Sequence, residues 1–334
     1  MIFGLRGARY ILMIAGVLVG ASLASGQASA QADAAKDFPS RPVHVVVGFA
    51  PGGGNDIYAR VVAPKLSEIL RQPVVIDNKP GAGGIIAAEF VAKAKPDGYT
   101  MLVAPSGATV MAEAVYAHLN FDPQRDFVPI TEIAHYSWVL VVSGKSPFKT
   151  IEDLVAYAKA NPSKANYGSA APGFEIATEL LKLRTGMPAE MVAYKSSAEL
   201  VMAVISGEVL FAYSDTPPVT GHLASGDVRV LAVTGPERLA DVPDVPTLEE
   251  AGIKDATMES WSGIFVPKAT PPAIVAKLEA AAMEAVKSPD VSAKLRNVGV
   301  EPSGMPGAEF AQVIERDLHQ AIEVARAANV KINE

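Results

Sequence analysis

The chain has 334 residues, 49% of them hydrophobic, with 36 acidic residues against 29 basic ones, five His and no Cys. The lack of cysteine excludes disulfides, thiol catalysis and thiolate metal sites. The negative balance, with no clustered Lys/Arg stripe, argues against a nucleic-acid partner. The His residues at 44, 118, 135, 222 and 319 never fall at i, i+3 or i, i+4, so their spacing forms no metal-ligand cluster and no cofactor is expected.

The N-terminus opens with Arg6 and Arg9, continues through the apolar run Tyr10–Ala21, and reaches Ala28-Ser29-Ala30 before Gln31. That order predicts a signal peptide over residues 1–30 and export of the remainder. The apolar run is short of the ~20 residues that a spanning helix needs. No cysteine follows it to carry a lipid. The remainder is long enough for two domains, each with its own core.

Strand-like and helical runs then alternate, which predicts an α/β layered fold. The first strand, Val43–Phe49, leads into Phe49-Ala50-Pro51-Gly52-Gly53-Gly54-Asn55-Asp56, followed by Ile57, Tyr58, Val61, Val62, Leu66 and Ile69 at helical spacing. A buried strand, a glycine turn and a helix start make a seat for an anion. Bare N–H groups and the positive dipole end point out of the turn, and glycine lets a ligand touch the backbone. The pattern recurs where Val74–Asp77 leads through Asn78–Gly84 into the helical run Ile85–Lys95. Pro64 is expected to kink the first long helix or narrow its start, because it removes a backbone donor.

Further strands are expected at Thr100–Val103, Trp138–Val142, Ala165–Tyr167, Glu190–Val192, Val209–Tyr213, Val228–Val233, Gly263–Val266 and Val298–Glu301. Thr150 through Asp153 resembles a capping box ahead of Leu154, Tyr157 and Ala158. Ile176, Leu180 and Leu183 form a second apolar stripe, and Leu200, Val201, Val204 and Ile205 a third, ended by Gly207. The strongest helical patterns are Pro272–Lys287 and Gly307–Ala328. No low-complexity linker separates two halves, so the chain is expected to cross between domains more than once, near Tyr136–Val141 and Met258–Gly263. Trp138 and Trp261 are read as packing residues at those crossings, and paired crossings make a hinge over a cleft.

Enzymatic signatures are incomplete. Gly52–Arg60 lacks the Lys-Ser/Thr ending of a P-loop, and Gly81-Ala82-Gly83-Gly84 lacks the spacing of a dinucleotide fingerprint. Ser169 lies in Tyr-Gly-Ser-Ala-Ala, which is not a nucleophile elbow, and no His is placed beside it by sequence. Two aspartates have open roles. Asp56 either serves the first helical turn, where its charge is favourable, or contacts ligand. Asp215 either caps a turn before Pro217 or lines a cleft. Lys195, beside Tyr194, reads as a solvated surface residue ahead of an anion contact.

Phe49–Arg60 (FAPGGGNDIYAR), Gln72–Gly84 (QPVVIDNKPGAGG), Ala94–Thr100 (AKPDGYT), Phe121–Phe127 (FDPQRDF), Tyr167–Ser169 (YGS), Leu231–Thr234 (LAVT) and Val242–Gly252 (VPDVPTLEEAG) occur in order. Together they resemble the Bug-type solute-binding receptors of tripartite tricarboxylate transporters, over essentially Phe38–Ile332. The resemblance implies a type II two-domain clamp, each domain a mixed sheet flanked by helices. Domain 1 is then residues 36–137 with 260–334, and domain 2 is residues 138–259. It also implies a receptor, not an enzyme, that delivers a small organic acid to membrane permease subunits; separately, no long exposed apolar run demands a partner copy, so a monomer is expected. Backbone amides and waters, rather than an arginine clamp, would hold the carboxylate.

Taken with the residue reading, this gives an expected ligand-binding set of Phe49, Ala50, Pro51, Gly52, Gly53, Asn55, Asp56, Ser106, Thr109, Ser169, Ala170, Gly173, Phe174, Tyr194 and Asp215. The chain departs from the family pattern after Tyr-Gly-Ser, where Ala170 to Ile176 is shorter and lacks a His. It also has Tyr194-Lys195-Ser196 where Tyr-Lys-Gly is common, and lacks an Asn-Pro pair near Met111–Tyr116. Phe174 either brings an aromatic ring to the cleft mouth, favouring longer or aromatic carboxylates over citrate-like acids, or packs under its own helix. Two other functions fit the sequence: a sensory carboxylate receptor for a two-component system, and an exported hydrolase using Ser169 or Ser106.

Overall fold

The computed structural model describes residues 36–116, 118–328 and 330, so the expected signal peptide lies outside the described residues. Eleven strands among them form two mixed sheets. The first sheet contains β1 (Val43–Val47), β2 (Val74–Asn78), β3 (Thr100–Pro105), β4 (Phe127–Ser137), β10 (Glu259–Pro267) and β11 (Glu301–Pro306). Its strand order is β11-β4-β10-β3-β1-β2. The second contains β5 (Val139–Ser143), β6 (Asn166–Ser169), β7 (Glu190–Ala193), β8 (Phe211–Ser214) and β9 (Val228–Val233), in the order β7-β6-β8-β5-β9.

In the first sheet β1 lies parallel to β2 and β3, with Val45 opposite Ile76 on one side and Met101 on the other. Helices cover it. They are α1 (Gly54–Leu70), α2 (Ile85–Ala92), α3 (Val110–Val115), α8 (Pro272–Lys287), α9 (Pro289–Asn297) and α10 (Gly307–Ala328). The second sheet carries α4 (Ile151–Ala160), α5 (Pro172–Thr185), α6 (Ser197–Ser206) and α7 (Pro217–Ser225). Each parallel pair is joined through a helix, as parallel strands require. The strands buried on both faces, such as Val45-Val46-Val47, read as continuous apolar runs for the same reason.

The chain passes between the sheets at Trp138 and returns between β9 and β10, and hydrogen bonds tie the two passages together. Thr234 Oγ1 accepts from the Trp138 N–H at 2.9 Å, the Thr234 N–H donates to Trp138 O at 2.9 Å, and Thr234 O accepts from the Met258 N–H at 2.8 Å. Immediately beyond, Glu259 on β10 pairs with Ser137 on β4.

Several sequence expectations shift. β4 was not anticipated, because Pro129 and the polar run Thr131-Glu132 break its apolar pattern; register irregularities beside β10 and β11 accommodate that sequence. β11 starts at Glu301 and runs to Pro306 rather than spanning Val298–Glu301. The segment before it belongs to the end of α9 and to a turn at Gly299, whose φ of 79° is left-handed. α1 runs unbroken across Pro64, which lies on its exposed face, where the carbonyl that loses its donor is not forced into the core. The capping box at Thr150 forms, with the Asp153 N–H donating to Thr150 Oγ1 at 3.3 Å. Trp261 packs as expected, edge-on to Phe310 at 4.7 Å between centroids, while its indole N–H donates to Asp317 at 2.9 Å.

Candidate ligand-binding cleft

Two helix starts from different sheets face one another. At α1, the Gly53 N–H turns back to Ala50 O at 3.1 Å, and the first helical bond runs from the Ile57 N–H to Gly53 O at 3.0 Å. The N–H groups of Gly54, Asn55 and Asp56 therefore precede the helical ladder. At α5, Pro172 has no N–H and the Phe174 N–H returns to Ala171 O at 3.0 Å. The short 3-10 turn Ser106–Ala108 after β3 meets the start of α5 so closely that a Cβ on Gly107 would lie 3.0 Å from the Gly173 nitrogen. Glycine at 107 permits this contact between backbones.

Between these turns lies a cavity of about 20 Å³ lined by both sheets' elements. It has room for a water molecule rather than an organic acid. Phe49, Asn55, Pro105, Gly107, Tyr136 and Ser260 supply one wall. Trp138 stands at the crossing, and Ala171, Gly173, Phe174, Ser197 and Asp215 supply the other. Polar groups on the first wall are linked to one another. Ser262 donates to Asn55 Oδ1 at 2.7 Å, Ser106 and Ser260 hydroxyls lie 2.9 Å apart, and the Tyr136 hydroxyl bonds Ser260 and Asn55. On the second wall, the Phe174 and Trp138 rings meet edge-on with centroids 5.4 Å apart.

Asp215 is 7% exposed, and burial pushes its carboxyl up to about 6 against the opposing pull of hydrogen bonds from Ser197 and Trp138. It comes from the end of β8 and crosses to α1: a Cβ built on Gly54 would lie 3.0 Å from Asp215 Oδ2 and 3.1 Å from the Tyr58 hydroxyl. A side chain at position 54 would therefore crowd Asp215 and Tyr58. Gly53 lies one residue short of the contact, with its built Cβ nearest Ala50 O.

Of the fifteen residues expected to bind ligand, the structure brings Phe49, Asn55, Gly173, Phe174 and Asp215 into the lining. The others lie outside it, and their contacts say why. Asp56 is a structural clamp. Its carboxylate accepts from the Gly52 N–H at 2.9 Å, from Arg60 Nε at 2.9 and 3.0 Å, and from Asn78 Nδ2 at 2.8 Å. Burial raises its pKa, but these bonds outweigh that and hold it below the ordinary carboxylate range. The clamp also occupies the Gly52 N–H, while Pro51 and Gly52 are exposed and Ala50 spends its carbonyl on Gly53. Thr109 Oγ1 donates to Pro105 O at 3.1 Å. Ser169 Oγ donates to Ala171 O at 3.0 Å and shapes the turn that the buried Ala170 completes. Tyr194 turns outward, its hydroxyl on Glu208 at 3.0 Å, and Lys195 beside it is exposed. Neither Ser106 nor Ser169 has an imidazole partner among these contacts, so neither is set up as a hydrolase nucleophile.

The sequence reading missed Tyr136, Ser197 and Ser260, placed Gly107 only within the ligand-facing strand end Pro105–Thr109 without singling it out, and gave Trp138 only a packing role. Tyr136 and Trp138 were locatable as crossing residues. Ser197 carried a signal in its place at a helix start, where Ser196 caps Glu199 at 3.2 Å.

A broader groove of about 590 Å³ runs beside the crossing strands, lined by His135, Glu237, Arg238, Asp241, Arg296 and Glu301 among others. Both its arginines are engaged, Arg238 with Glu250 and Arg296 with Glu301. Among the described residues no group of three or more His, Asp or Glu is placed to hold a metal ion. No described helix is long and apolar enough to cross a membrane.

Comparison with known proteins agrees with this architecture. The family model described as "Tripartite tricarboxylate transporter family receptor" matches residues 58–330. BugT of Bordetella pertussis is 34% identical over 271 residues, covering 80% of this chain and 83% of that protein. Among solved structures, R. palustris Rpa4515 with adipate is 34% identical with a TM-score of 0.83, covering 88% of this chain and 99% of that one. MatC from Rhodopseudomonas palustris with bound malate is 31% identical with a TM-score of 0.82, covering 86% and 99%. The chain belongs to the Bug-type receptors of the tripartite tricarboxylate transporter family, periplasmic solute-binding proteins of two-domain α/β architecture.

Proposed function

We propose that this chain captures a small organic acid between two lobes and hands it to the membrane permease subunits of a tripartite transporter. The lobes are residues 36–137 with 260–334, and residues 138–259, hinged at the paired crossings beside Trp138 and Met258. Backbone N–H groups of Gly54, Asn55, Gly107 and Gly173 receive the carboxylate oxygens, with waters completing the shell. No covalent step is required. The observation that carries this reading is the convergence of helix starts from both sheets on one buried cavity, where partial positive charge is concentrated. Relatives solved with adipate and malate lend it the ligand class.

The cavity as it stands is too small for such a ligand, so capture requires the lobes to part and close again. A thermal-shift series of mono-, di- and tricarboxylates, with neutral polyols as controls, tests the reading. A cognate acid at a hundredfold excess over its Kd should stabilise the protein by ~2.7 kcal/mol. Stabilisation by a neutral solute, with none by any carboxylate, would refute it. Gly107→Val should abolish the acid's effect while leaving the unliganded protein folded, because the added branch blocks the approach of Gly173.

A further inference from the structure

We propose that capture is proton-linked: Glu175, held in the seam where α5 of one lobe meets α3 and α10 of the other, takes up a proton as the lobes close and releases it as they part. The inference rests on the two-lobe capture reading above and adds a regulatory property to it.

α5 covers the second sheet, yet it also packs against two helices of the first lobe, α3 and α10. Glu175 lies in its first turn, between the buried residues Phe174 and Ile176, and is itself only 9% exposed. Among the described residues none donates a hydrogen bond to its carboxyl. The one ammonium group nearby is already engaged. Lys182 Nζ donates to Glu179 Oε1 at 2.7 Å, and the Tyr167 hydroxyl donates to the same oxygen at 3.0 Å. Glu179 is four residues from Glu175 on one helix, a spacing at which like charges repel. Two carboxyl groups thus share one cation, and the one left without it is buried in the seam.

The neighbouring elements bring Glu175 no further cation. Tyr116, the residue that closes α3, faces it, and its half-buried phenol is made harder to ionise first by burial and then by Glu175. Glu113 of α3 turns to Gln124 instead. β6 supplies the Tyr167 phenol, and β8 supplies Tyr213, which burial alone perturbs. The turn Ser106–Ala108 has no titratable side chain, and no charged residue of α10 acts on Glu175.

Burial first, and the charge of Glu179 second, push the Glu175 carboxyl up to about 7 against the pull of Lys182. Of these groups Glu179, Lys182 and Tyr167 travel with α5, whereas α3 and α10 stay with the first lobe. Parting the lobes therefore removes burial, the larger cause, and returns the carboxyl toward its ordinary value of 4.5. A group whose value is raised in the closed form favours closure most below its open-form value. That contribution is lost as the pH rises through about 7 and is constant above.

Calorimetric titrations at pH 6.5, 7.5 and 8.5 test this, with adipate, malate and the other mono- and dicarboxylates of the thermal-shift series as probes. Ordinary carboxylic acids ionise below that window. The tightest-binding probe should lose about three- to fourfold in affinity between pH 6.5 and pH 8.5. Asp215, raised only to about 6, would account for less than ~1.5-fold of that. Glu175→Gln should bind the same probe with no more than that smaller dependence. Where Glu175→Gln does not fold, wild-type titrations at pH 7 in buffers of different ionisation enthalpy decide: Glu175 requires uptake of about half a proton per acid bound, and Asp215 alone gives about 0.1.

A wild-type affinity that is flat across the window overturns the inference and leaves the capture reading standing. So does a dependence that persists undiminished in Glu175→Gln, because another group then carries the proton. If no carboxylate binds at any pH while a neutral solute does, the inference and the broader reading fall together.

Discussion

Two aspartates attend the same helix start and end in opposite electrostatic states. Asp56, in the first turn of α1, is enclosed by Arg60, Asn78 and the Gly52 N–H, and its pKa is held down. Asp215 reaches Gly54 of that helix from the other sheet, has only a hydroxyl and an indole for side-chain donors, and is pushed up to about 6. Both side chains are buried, so burial alone does not separate them. The difference is the supply of donors: one carboxylate is saturated by its own protein, while the other is left with capacity to spare in a cavity. The first fixes a loop, and the second lines the cavity between the two sheets.

Breaking the first half of the comparison should have the largest effect. Asp56→Ala removes the shared acceptor of the Gly52 N–H, Asn78 Nδ2 and Arg60; because Arg60 is half exposed and Asn78 keeps its bond to Phe49 O, a destabilisation of about 2–3 kcal/mol is expected rather than the full cost of a buried pair. Urea denaturation at pH 7.5 measures it as a lower midpoint. Asp215→Asn should act in the opposite direction. Removing a charge that folding confines without a cation should raise the unliganded midpoint, by roughly 1–2 kcal/mol. A fall in the midpoint would show that Asp215 is saturated after all.

The pH dependence separates the same two residues more finely. The folded-state pKa of Asp215 lies above the ordinary carboxyl value of 3.8, so its contribution is greatest below that value, declines as the pH rises toward about 6, and is constant above. Asp56 has a depressed pKa, so its contribution is present above the ordinary carboxyl value of 3.8 and is lost as the pH falls through the folded pKa. Thermal midpoints of the unliganded protein between pH 4 and pH 7 should therefore lose part of their downward slope in Asp215→Asn and keep it in Asp56→Asn. The smallest expected change belongs to Ser197→Ala. It removes a donor that favours the charged form of Asp215, which should shift that carboxyl's titration upward, at a cost near neutral pH of about 0.5–1 kcal/mol. Carbon-detected NMR of the side-chain carboxyl would follow the shift, and an unchanged titration would remove Ser197 from the account.

Most of the fold was legible because its signals are local. The run Val45-Val46-Val47, the glycine turn before Ile57, the Thr150 cap and the stripe through Phe310 each declare an element within a few residues. β4 was not legible, since Pro129 and Thr131-Glu132 disguise a strand whose place depends on partners far along the chain, in β10 and β11. The site divides in the same way. Phe49, Asn55, Gly173 and Phe174 sit at helix starts that the sequence marks. Ser260 and Tyr136 reach the cavity because antiparallel pairing sets them side by side on β10 and β4, and no spacing rule connects them.

The sequence by itself determined that two glycine-bearing turns open helices and that the chain is an α/β solute-binding receptor of a recognisable family. Backbone freedom and helix dipoles are properties of short segments, and they are written where they act. The tertiary structure alone decided which aspartate is spent and which is spare. That outcome depends on whether Arg60 and Asn78, or only Ser197 and Trp138, arrive beside a given carboxylate, and the partners of a buried charge are fixed by packing between segments distant in the chain.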